Sequence, residues 1–184
     1  MSRVWLIRHA ASEQVPGTAI GVTDPPLSDE GLAQAHVLAD TMAGRPLVRM
    51  ISSDRQRALA TARIVAQLHG LAVESCAALR EIDFGVWEGR SLADLWWEDP
   101  DAAKAWELDF RSTPPGFGES LHDLERRVAT FWAALWPLPA RGELAIVAHR
   151  GSLAALRALI TGSSVGDAFA SQLQLGMAIE VVAG

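Results

Sequence analysis

Two apolar segments, far apart in the chain, each end in a histidine with an arginine beside it. The segment 4–7 runs directly into Arg8 and His9, and the segment 144–148 runs into His149. An open α/β sheet binds its ligands just beyond the carboxyl ends of its buried strands. The pattern therefore predicts that two imidazole rings meet in one pocket, where arginine attracts an anion.

Strand and helix patterns alternate through the rest of the chain. Apolar runs predict strands at 4–7, 47–51, 71–73, 144–148 and 178–182. Helical spacing and capping residues predict helices at 28–42, 54–69, 91–110, 119–136 and 152–160. Strands separated by helices indicate an α/β fold, a three-layer sandwich in which helices cover both faces of a mostly parallel sheet. Because no linker divides the sequence, we expect residues 1–184 to form a single domain.

Composition limits the partners of this domain. The chain of 184 residues has a formal net charge of -6, so its overall charge gives no reason to expect nucleic acid or an acidic membrane as a partner. A single cysteine, Cys76, cannot form an internal disulfide, which fits a reducing compartment. We find neither a secretory leader nor an apolar stretch of roughly 18 residues, and we expect a cytoplasmic protein with no membrane partner. The strand at 178–182 is either internal or pairs with a second subunit, which leaves a homodimer open.

Most common motifs of catalysis are missing from the sequence. A Walker phosphate loop, a Gly-x-Ser-x-Gly elbow and a His-Glu-x-x-His zinc motif are absent, and neither a metal nor a cofactor is predicted. The two glycines of 116–118 lack a preceding strand and a third glycine, so dinucleotide binding is not expected. The remaining candidates are His9, His149, Arg8, Arg57 and an acidic residue.

Several ordered blocks around these candidates resemble the histidine phosphatase superfamily, which includes the phosphoglycerate mutases. Arg8-His9 is similar to its Arg-His-Gly signature, and 53–62 is similar to its Ser-x-x-x-Arg-Ala-x-Gln-Thr-Ala helix. The block 79–89 resembles Leu-x-Glu-x-x-Phe-Gly-x-Trp-Glu-Gly, and 24–31 resembles Asp-x-Pro-Leu-Thr-x-x-Gly. Shorter matches at 118–120 and 147–149 complete the order. The resemblance implies a phosphoglycerate mutase-like fold.

The same resemblance implies a phosphomonoesterase that uses no metal and no cofactor. His9 would attack phosphorus and become phosphohistidine. Arg8, Arg57 and His149 would surround the phosphoryl oxygens and stabilise their charge. Glu81 would protonate the leaving oxygen and then activate the water that hydrolyses phosphohistidine.

Each of these assignments has a simpler alternative. A histidine at a strand end often makes only structural hydrogen bonds. Arg57 lies on a helix with two further arginines, which is typical of a solvated face. Asp83 and Glu88 compete with Glu81 as the proton donor.

Two serines and three tryptophans are further candidates. Ser12 and Ser53 would bind phosphate through their hydroxyl groups, although serines in loops often only complete turns. Trp96, Trp97 and Trp106 either pack in the core or line a pocket for an aromatic ring.

The chain departs from the family pattern at four positions, which affect the choice of substrate more than the type of reaction. The usual Gly, Asn, Gln and Gly are replaced by Ala10, Val15, Ala60 and Arg150. Arg150 either binds a second anionic group or points to solvent.

The substrate is a weaker inference than the reaction. The short loop 16–24 and the segment 81–88 resemble those of the cobalamin-pathway phosphatases, so α-ribazole 5′-phosphate is the leading small-molecule substrate. The alternatives are a broad-specificity phosphatase for sugar or nucleotide monophosphates, a phosphoglycerate mutase, and a phosphate-binding module without turnover.

Overall fold

A single mixed sheet runs through the protein, seen in a computed structural model that describes residues 2–14, 16–139, 141–170 and 173–184. Within these residues the strands are β1 (Ser2–Arg8), β2 (Leu47–Ser52), β3 (Val73–Ser75), β4 (Glu143–Ala148) and β5 (Ala178–Ala183). The helices are α1 (Asp29–Met42), α2 (Gln56–Gln67), α3 (Leu92–Glu98), α4 (Pro100–Leu108), α5 (Leu121–Ala134), α6 (Arg150–Thr161) and α7 (Val165–Ala170). Short 3-10 turns lie at Ala77–Leu79, Gly85–Trp87 and Pro115–Phe117.

The strand order is β3-β2-β4-β1-β5, which puts the first and fourth strands side by side in the middle of the sheet. β1, β2, β3 and β4 run parallel, and β5 lies antiparallel to β1 at one edge. The mostly parallel sheet predicted from the alternating pattern is confirmed. Because the four parallel strands share one direction, their carboxyl ends meet along one edge of the sheet.

Alternating side chains of the central strands face two separate cores. Val4 and Leu6 of β1 pack in the core formed with α5 and α6, whereas Trp5 and Ile7 pack against α1 and α2. Helices therefore cover both faces, and the three-layer α/β sandwich is confirmed. None of the described helices is long and apolar enough to cross a membrane.

The segment 91–110 is helical as predicted, but it is divided into two helices. α3 ends and α4 begins at Asp99, whose side chain accepts a hydrogen bond from the Ala102 N–H. Pro100 occupies the first position of α4, where its missing N–H costs nothing, but the same ring disfavours helical backbone at the residue before it. The Asp-Pro pair is thus both a stop and a start signal.

Two smaller differences follow from local hydrogen bonding. The strand predicted at 71–73 begins only at Val73, because the Leu71 N–H still donates to Ala66 O and closes α2. Gly70, with a φ of 63°, makes the left-handed turn that this closure requires. The short helix α7 was not predicted; the Ser164 hydroxyl accepts the Asp167 N–H at its start, but six residues are too few to show a helical period.

Candidate active site

The two histidines lie side by side at the carboxyl edge of the sheet. Arg8 of β1 pairs with Ala148 of β4, and the His9 N–H donates to Ala148 O at 3.0 Å. The residues that follow each strand are therefore neighbours, and the ring centroids of His9 and His149 are 5.0 Å apart. Both side chains are buried.

Hydrogen bonding fixes which nitrogen of His9 is free to react. His9 Nδ1 lies 2.8 Å from the carbonyl oxygen of Ala10. Because a carbonyl only accepts, Nδ1 must carry the proton, and Nε2 keeps its lone pair. Burial, followed by the positive charges of Arg57 and Arg8, lowers the pKa of His9 to about 3, against the raising effect of the bond to Ala10. The ring is therefore neutral at physiological pH, as a nucleophile requires.

Ser53 contacts His149 directly. Its hydroxyl lies 2.9 Å from His149 Nε2 and accepts the Arg55 N–H at 3.3 Å. A serine hydroxyl can donate to Nε2 while it accepts from Arg55, and with that donation the proton of the ring lies on Nδ1. Burial, followed by the nearby His9 and Arg57, keeps the pKa of His149 well below its usual value. Ser53 thus orients His149, a role that the sequence analysis did not assign to it.

Two arginines lie at the same edge with their charges largely buried. The Arg57 side chain donates from Nη1 to Thr23 O at 2.8 Å and from Nη2 to Gly21 O at 3.3 Å. Arg8 Nη1 donates to Leu173 O at 3.1 Å. Burial lowers the pKa of both groups, but a guanidinium stays protonated in proteins. Both side chains therefore contribute positive charge at the site.

Glu81 lies at the amino end of α6, next to the second histidine. Both of its carboxylate oxygens lie 3.0 Å from the Gly151 nitrogen, and Oε1 also accepts the Ile82 N–H. A Cβ on residue 151 would come within 2.3 Å of Glu81 Oε1. The glycine is thus needed for the close approach of this carboxylate to the helix.

Several buried donors at this edge have no hydrogen-bond acceptor among the described residues. They are His149 Nδ1 and the Nε atoms of Arg8, Arg55 and Arg57. Buried donors normally have partners, and a phosphoryl group offers several strong acceptor oxygens. The arrangement combines an unprotonated imidazole nitrogen, cationic donors and one carboxylate, which is the set of groups that phosphoryl transfer needs.

The comparisons with known proteins agree with this geometry. The profile of the histidine phosphatase superfamily (branch 1) matches residues 4–182. The chain belongs to this family. It is a phosphomonoester hydrolase of the histidine phosphatase type, as the order of the sequence blocks indicated.

Three relatives of this histidine phosphatase carry more specific names. It is 34% identical over 155 residues to the adenosylcobalamin/alpha-ribazole phosphatase of Salmonella typhimurium, and the aligned region covers 84% of this chain and 77% of the relative. It is 31% identical over 163 residues to a probable phosphoglycerate mutase of Yersinia pestis, which covers 88% and 76% of the two chains. The crystal structure of a putative alpha-ribazole-5′-P phosphatase from Escherichia coli superposes with a TM-score of 0.90 at 30% identity, over 97% of this chain and 89% of the other.

The other two acidic candidates of the histidine phosphatase are engaged elsewhere. Glu88 accepts the N–H groups of Gly21, Val22 and Thr23 at 2.8 to 3.1 Å. Burial alone would raise the pKa of Glu88, but these hydrogen bonds outweigh it and lower the pKa, so the carboxylate stays ionised. Asp83 accepts the Gly85 N–H at 2.7 Å. Glu81 is the acid that contacts Gly151, two residues after His149.

The loop 21–23 connects Glu88 with Arg57. Its N–H groups donate to Glu88, and the carbonyls of Gly21 and Thr23 accept from Arg57. We expect Glu88→Gln to lower kcat/KM for p-nitrophenyl phosphate about 10-fold, because an amide nitrogen would face backbone N–H groups and displace the loop that orients Arg57. The free energy of unfolding should fall by about 1–3 kcal/mol. Steady-state kinetics and urea unfolding measure both effects.

Glu74→Gln is the matched control for this prediction, since Glu74 is exposed and pairs with Arg49 on β2. It should leave kcat/KM unchanged. If Glu88→Gln lowers stability but not kcat/KM, the loop does not position Arg57.

The two buried histidines make stability depend on pH. Below the ordinary histidine pKa of 6.5 the unfolded chain binds protons that the folded chain, with the His9 pKa at about 3, does not. We therefore expect the free energy of unfolding to be highest, as far as the histidines affect it, above pH 6.5. It should fall as the pH is lowered toward 3, by at most about 1.4 kcal/mol per pH unit for each histidine. Urea unfolding between pH 7.5 and 4.5 in phosphate-free buffer measures this slope.

Removing one of the two rings tests the origin of the slope. His149→Gln should reduce it by up to half, whereas the exposed His36 of α1 should not affect it when replaced by alanine. An unchanged slope in His149→Gln would assign the pH dependence to other groups.

Ser12 and Thr61 are two further hydroxyl groups near the site, of which only Ser12 was predicted from the sequence. The Ser12 hydroxyl donates to Gln14 Oε1 at 3.3 Å, a contact within its own loop. The Ala10 N–H donates to the hydroxyl of Thr61, which in turn donates to Arg57 O. Sequence reasoning missed Thr61; the available signal was a polar residue on the buried face of α2, one turn after Arg57. Val15 lies outside the described residues.

Two cavities meet at Glu81. A polar cleft of about 550 Å³ has Arg55, Glu81 and Asp83 among its lining residues. An apolar pocket of about 230 Å³ lies against Glu81 and includes Trp106. Of the three tryptophans considered from the sequence, Trp97 is 88% exposed and Trp96 43% exposed, and neither lines the apolar pocket. No cluster of three or more potential metal ligands occurs among the residues that the structure describes.

Proposed function

We propose that this histidine phosphatase hydrolyses a small phosphomonoester in two steps, with His9 as the nucleophile and α-ribazole 5′-phosphate as the principal substrate. The observation that carries the proposal is the contact of His9 Nδ1 with Ala10 O, which leaves an unprotonated Nε2 beside His149. We further propose that residues 1–184 act as one domain.

In the first step, His9 Nε2 forms a bond to phosphorus while the bond from phosphorus to the ester oxygen breaks. Glu81, in its protonated form, gives its proton to the departing oxygen, and the alcohol leaves. Arg8, Arg57 and the Nδ1–H of His149 hold the phosphoryl oxygens through both steps. Such fixed donors act by stabilising charge as it develops in the transition state.

In the second step, water replaces the alcohol. The Glu81 carboxylate takes a proton from the water, whose oxygen attacks phosphorus as the bond to His9 Nε2 breaks. Inorganic phosphate leaves, and Glu81 is again protonated. Microscopic reversibility supports one carboxyl group as acid in the first step and base in the second, as in other double displacements.

The names of two relatives support the proposed substrate. The Salmonella protein at 34% identity and the Escherichia coli structure both carry alpha-ribazole in their names. The Yersinia relative named as a probable mutase favours phosphoglycerate as a second candidate. Discriminating between these substrates requires kinetics.

A panel of monoesters tests the proposal. Phosphate release would be measured with α-ribazole 5′-phosphate, AMP, glucose 6-phosphate and 3-phosphoglycerate. We expect kcat/KM for α-ribazole 5′-phosphate to exceed each of the others at least 10-fold. Similar values across the panel would indicate a broad-specificity phosphatase, and formation of 2-phosphoglycerate would indicate a mutase. Phosphate binding without turnover of any ester would indicate a binding module.

We also propose that the enzyme works in the cytoplasm and that a second copy of the chain pairs along the edge of β5. Cys76 is a free thiol, which fits a reducing compartment. β5 is the last strand in the sheet order, so its outer backbone groups are available to another strand. A solution mass of two chains supports the dimer, and a mass of one chain contradicts it.

A further inference from the structure

Four aromatic rings line the apolar pocket beside Glu81. Phe84, Trp106, Phe110 and Phe169 are among its lining residues, and Glu81 and Arg150 are the charged ones. Because Glu81 is the proposed proton donor, the alcohol that leaves must start next to this pocket. A cavity of about 150 Å³ lined by apolar groups can hold benzene, so about 230 Å³ has room for a larger flat ring.

Arg150 lies where the pocket meets the phosphate site. Its guanidinium carbon is 5.5 Å from the centroid of the Phe169 ring. Arg150 also lies near Arg8: burial is the main cause that lowers the pKa of Arg8, and the positive charge of Arg150 lowers it as well. None of the ion pairs among the described residues includes Arg150. The side chain is thus a cation already stacked on one aromatic ring, with its charge unmatched by a carboxylate.

A second polar group in the pocket wall lacks a partner. Trp106 Nε1 is buried and has no hydrogen-bond acceptor among the described residues. A ring nitrogen of a bound heterocycle would supply that acceptor. Trp106 is packed edge to face against Trp87, with centroids 5.7 Å apart, which fixes the position of its ring.

We propose that the pocket holds a flat heteroaromatic ring of the leaving group, stacked on the Arg150 guanidinium, and that Arg150 and Trp106 determine the selectivity of the enzyme. This inference rests on the proposed function and adds how the site recognises its substrate class. A planar guanidinium stacks on aromatic faces, which an ammonium does not do equally well. Arg150, which replaces the usual family glycine after His149, would then serve to bind the ring of the leaving group.

Three esters of primary alcohols separate ring recognition from chemistry. 2-Phenylethyl, 2-cyclohexylethyl and ethyl phosphate have similar leaving oxygens, so Glu81 acts on each in the same way. We expect wild-type kcat/KM to be at least 10-fold higher for 2-phenylethyl phosphate than for ethyl phosphate. Arg150→Leu should lower the preference for the phenyl over the cyclohexyl ester about 2- to 5-fold, and Arg150→Lys should lower it less.

Trp106→Phe tests the second contact. It keeps an aromatic wall but removes the N–H, so it should lower kcat/KM for 2-(2-pyridyl)ethyl phosphate and leave that for 2-phenylethyl phosphate within twofold. Trp97→Ala is the control, because Trp97 is exposed on the neighbouring helix α3 and lies outside the pocket. Circular dichroism and thermal unfolding establish that each variant is folded.

The outcomes are distinct from failure of the proposed function, which would appear as no phosphate release from any ester. If the esters are hydrolysed but Arg150→Leu leaves the phenyl-to-cyclohexyl ratio unchanged, the stacking proposal is overturned. It is also overturned if Arg150→Leu selectively lowers kcat/KM for 3-(phosphonooxy)propanoate relative to the corresponding amide, since Arg150 would then bind a second anion.

Discussion

His9→Ala is expected to abolish turnover, with kcat for p-nitrophenyl phosphate reduced about 10,000-fold or more. The variant lacks the imidazole whose Nε2 is left unprotonated by the contact of Nδ1 with Ala10 O. Rapid quenching of wild-type enzyme with ³²P-labelled substrate into alkali should trap labelled protein, and the variant should remain unlabelled.

His36→Ala is the control for this experiment. His36 is an exposed histidine on α1, and its removal should change neither the rate nor the labelling. Labelled protein in His9→Ala would place the nucleophile elsewhere, with His149 as the first residue to examine. The contact of His149 Nε2 with Ser53 argues against that outcome, because it occupies this nitrogen.

Glu81→Gln is expected to lower kcat about 100- to 10,000-fold for alkyl phosphates, because an amide can neither donate the proton to the leaving oxygen nor accept one from water. With p-nitrophenyl phosphate the two steps separate. The nitrophenolate is stable enough to leave without a proton, so the variant should still release one equivalent of it in a burst. Hydrolysis of phosphohistidine should then be slow. Stopped-flow absorbance measures burst and steady state together.

Asp83→Asn provides the comparison, since Asp83 lies two residues away and lines the same polar cleft. An asparagine oxygen can still accept the Gly85 N–H, so we expect a change in kcat of less than about threefold. A loss in Asp83→Asn that depends on the leaving group, with Glu81→Gln little affected, would reassign the proton donor to Asp83.

The two histidines could be predicted to lie close together because each comes directly after a buried strand, whereas Arg57 and Glu81 were suggested only by the family resemblance. The apolar runs before His9 and His149 identify strands without any knowledge of the fold, and the parallel arrangement brings their carboxyl ends to one edge. The order of the strands was not visible in the sequence. β4 lies beside β1 although most of the chain separates them, and this adjacency sets the distance of 5.0 Å between the rings.

The hydrogen-bond partners of Glu81 and Glu88 could not be predicted from the sequence. Glu81 and Glu88 stand in one block, and the order of residues does not reveal which carboxylate faces the site. The structure distinguishes them by their hydrogen bonds, since Glu88 accepts from the loop 21–23, whereas Glu81 contacts Gly151 beside His149. Ser53 is a similar case, because its partner is His149 across the sheet rather than a neighbour in the chain.

The sequence by itself determined the α/β sandwich, because strand burial and helix periods are local properties. Its ordered motif blocks, through their resemblance to the histidine phosphatases, indicated the family and the candidate groups. The tertiary structure alone decided what each group contacts. Trp106 lines the pocket while Trp97 is exposed, and the exposed side chain of Arg150 lies over the Phe169 ring. Such contacts join residues that are distant in the chain, and they form only when separate elements pack together.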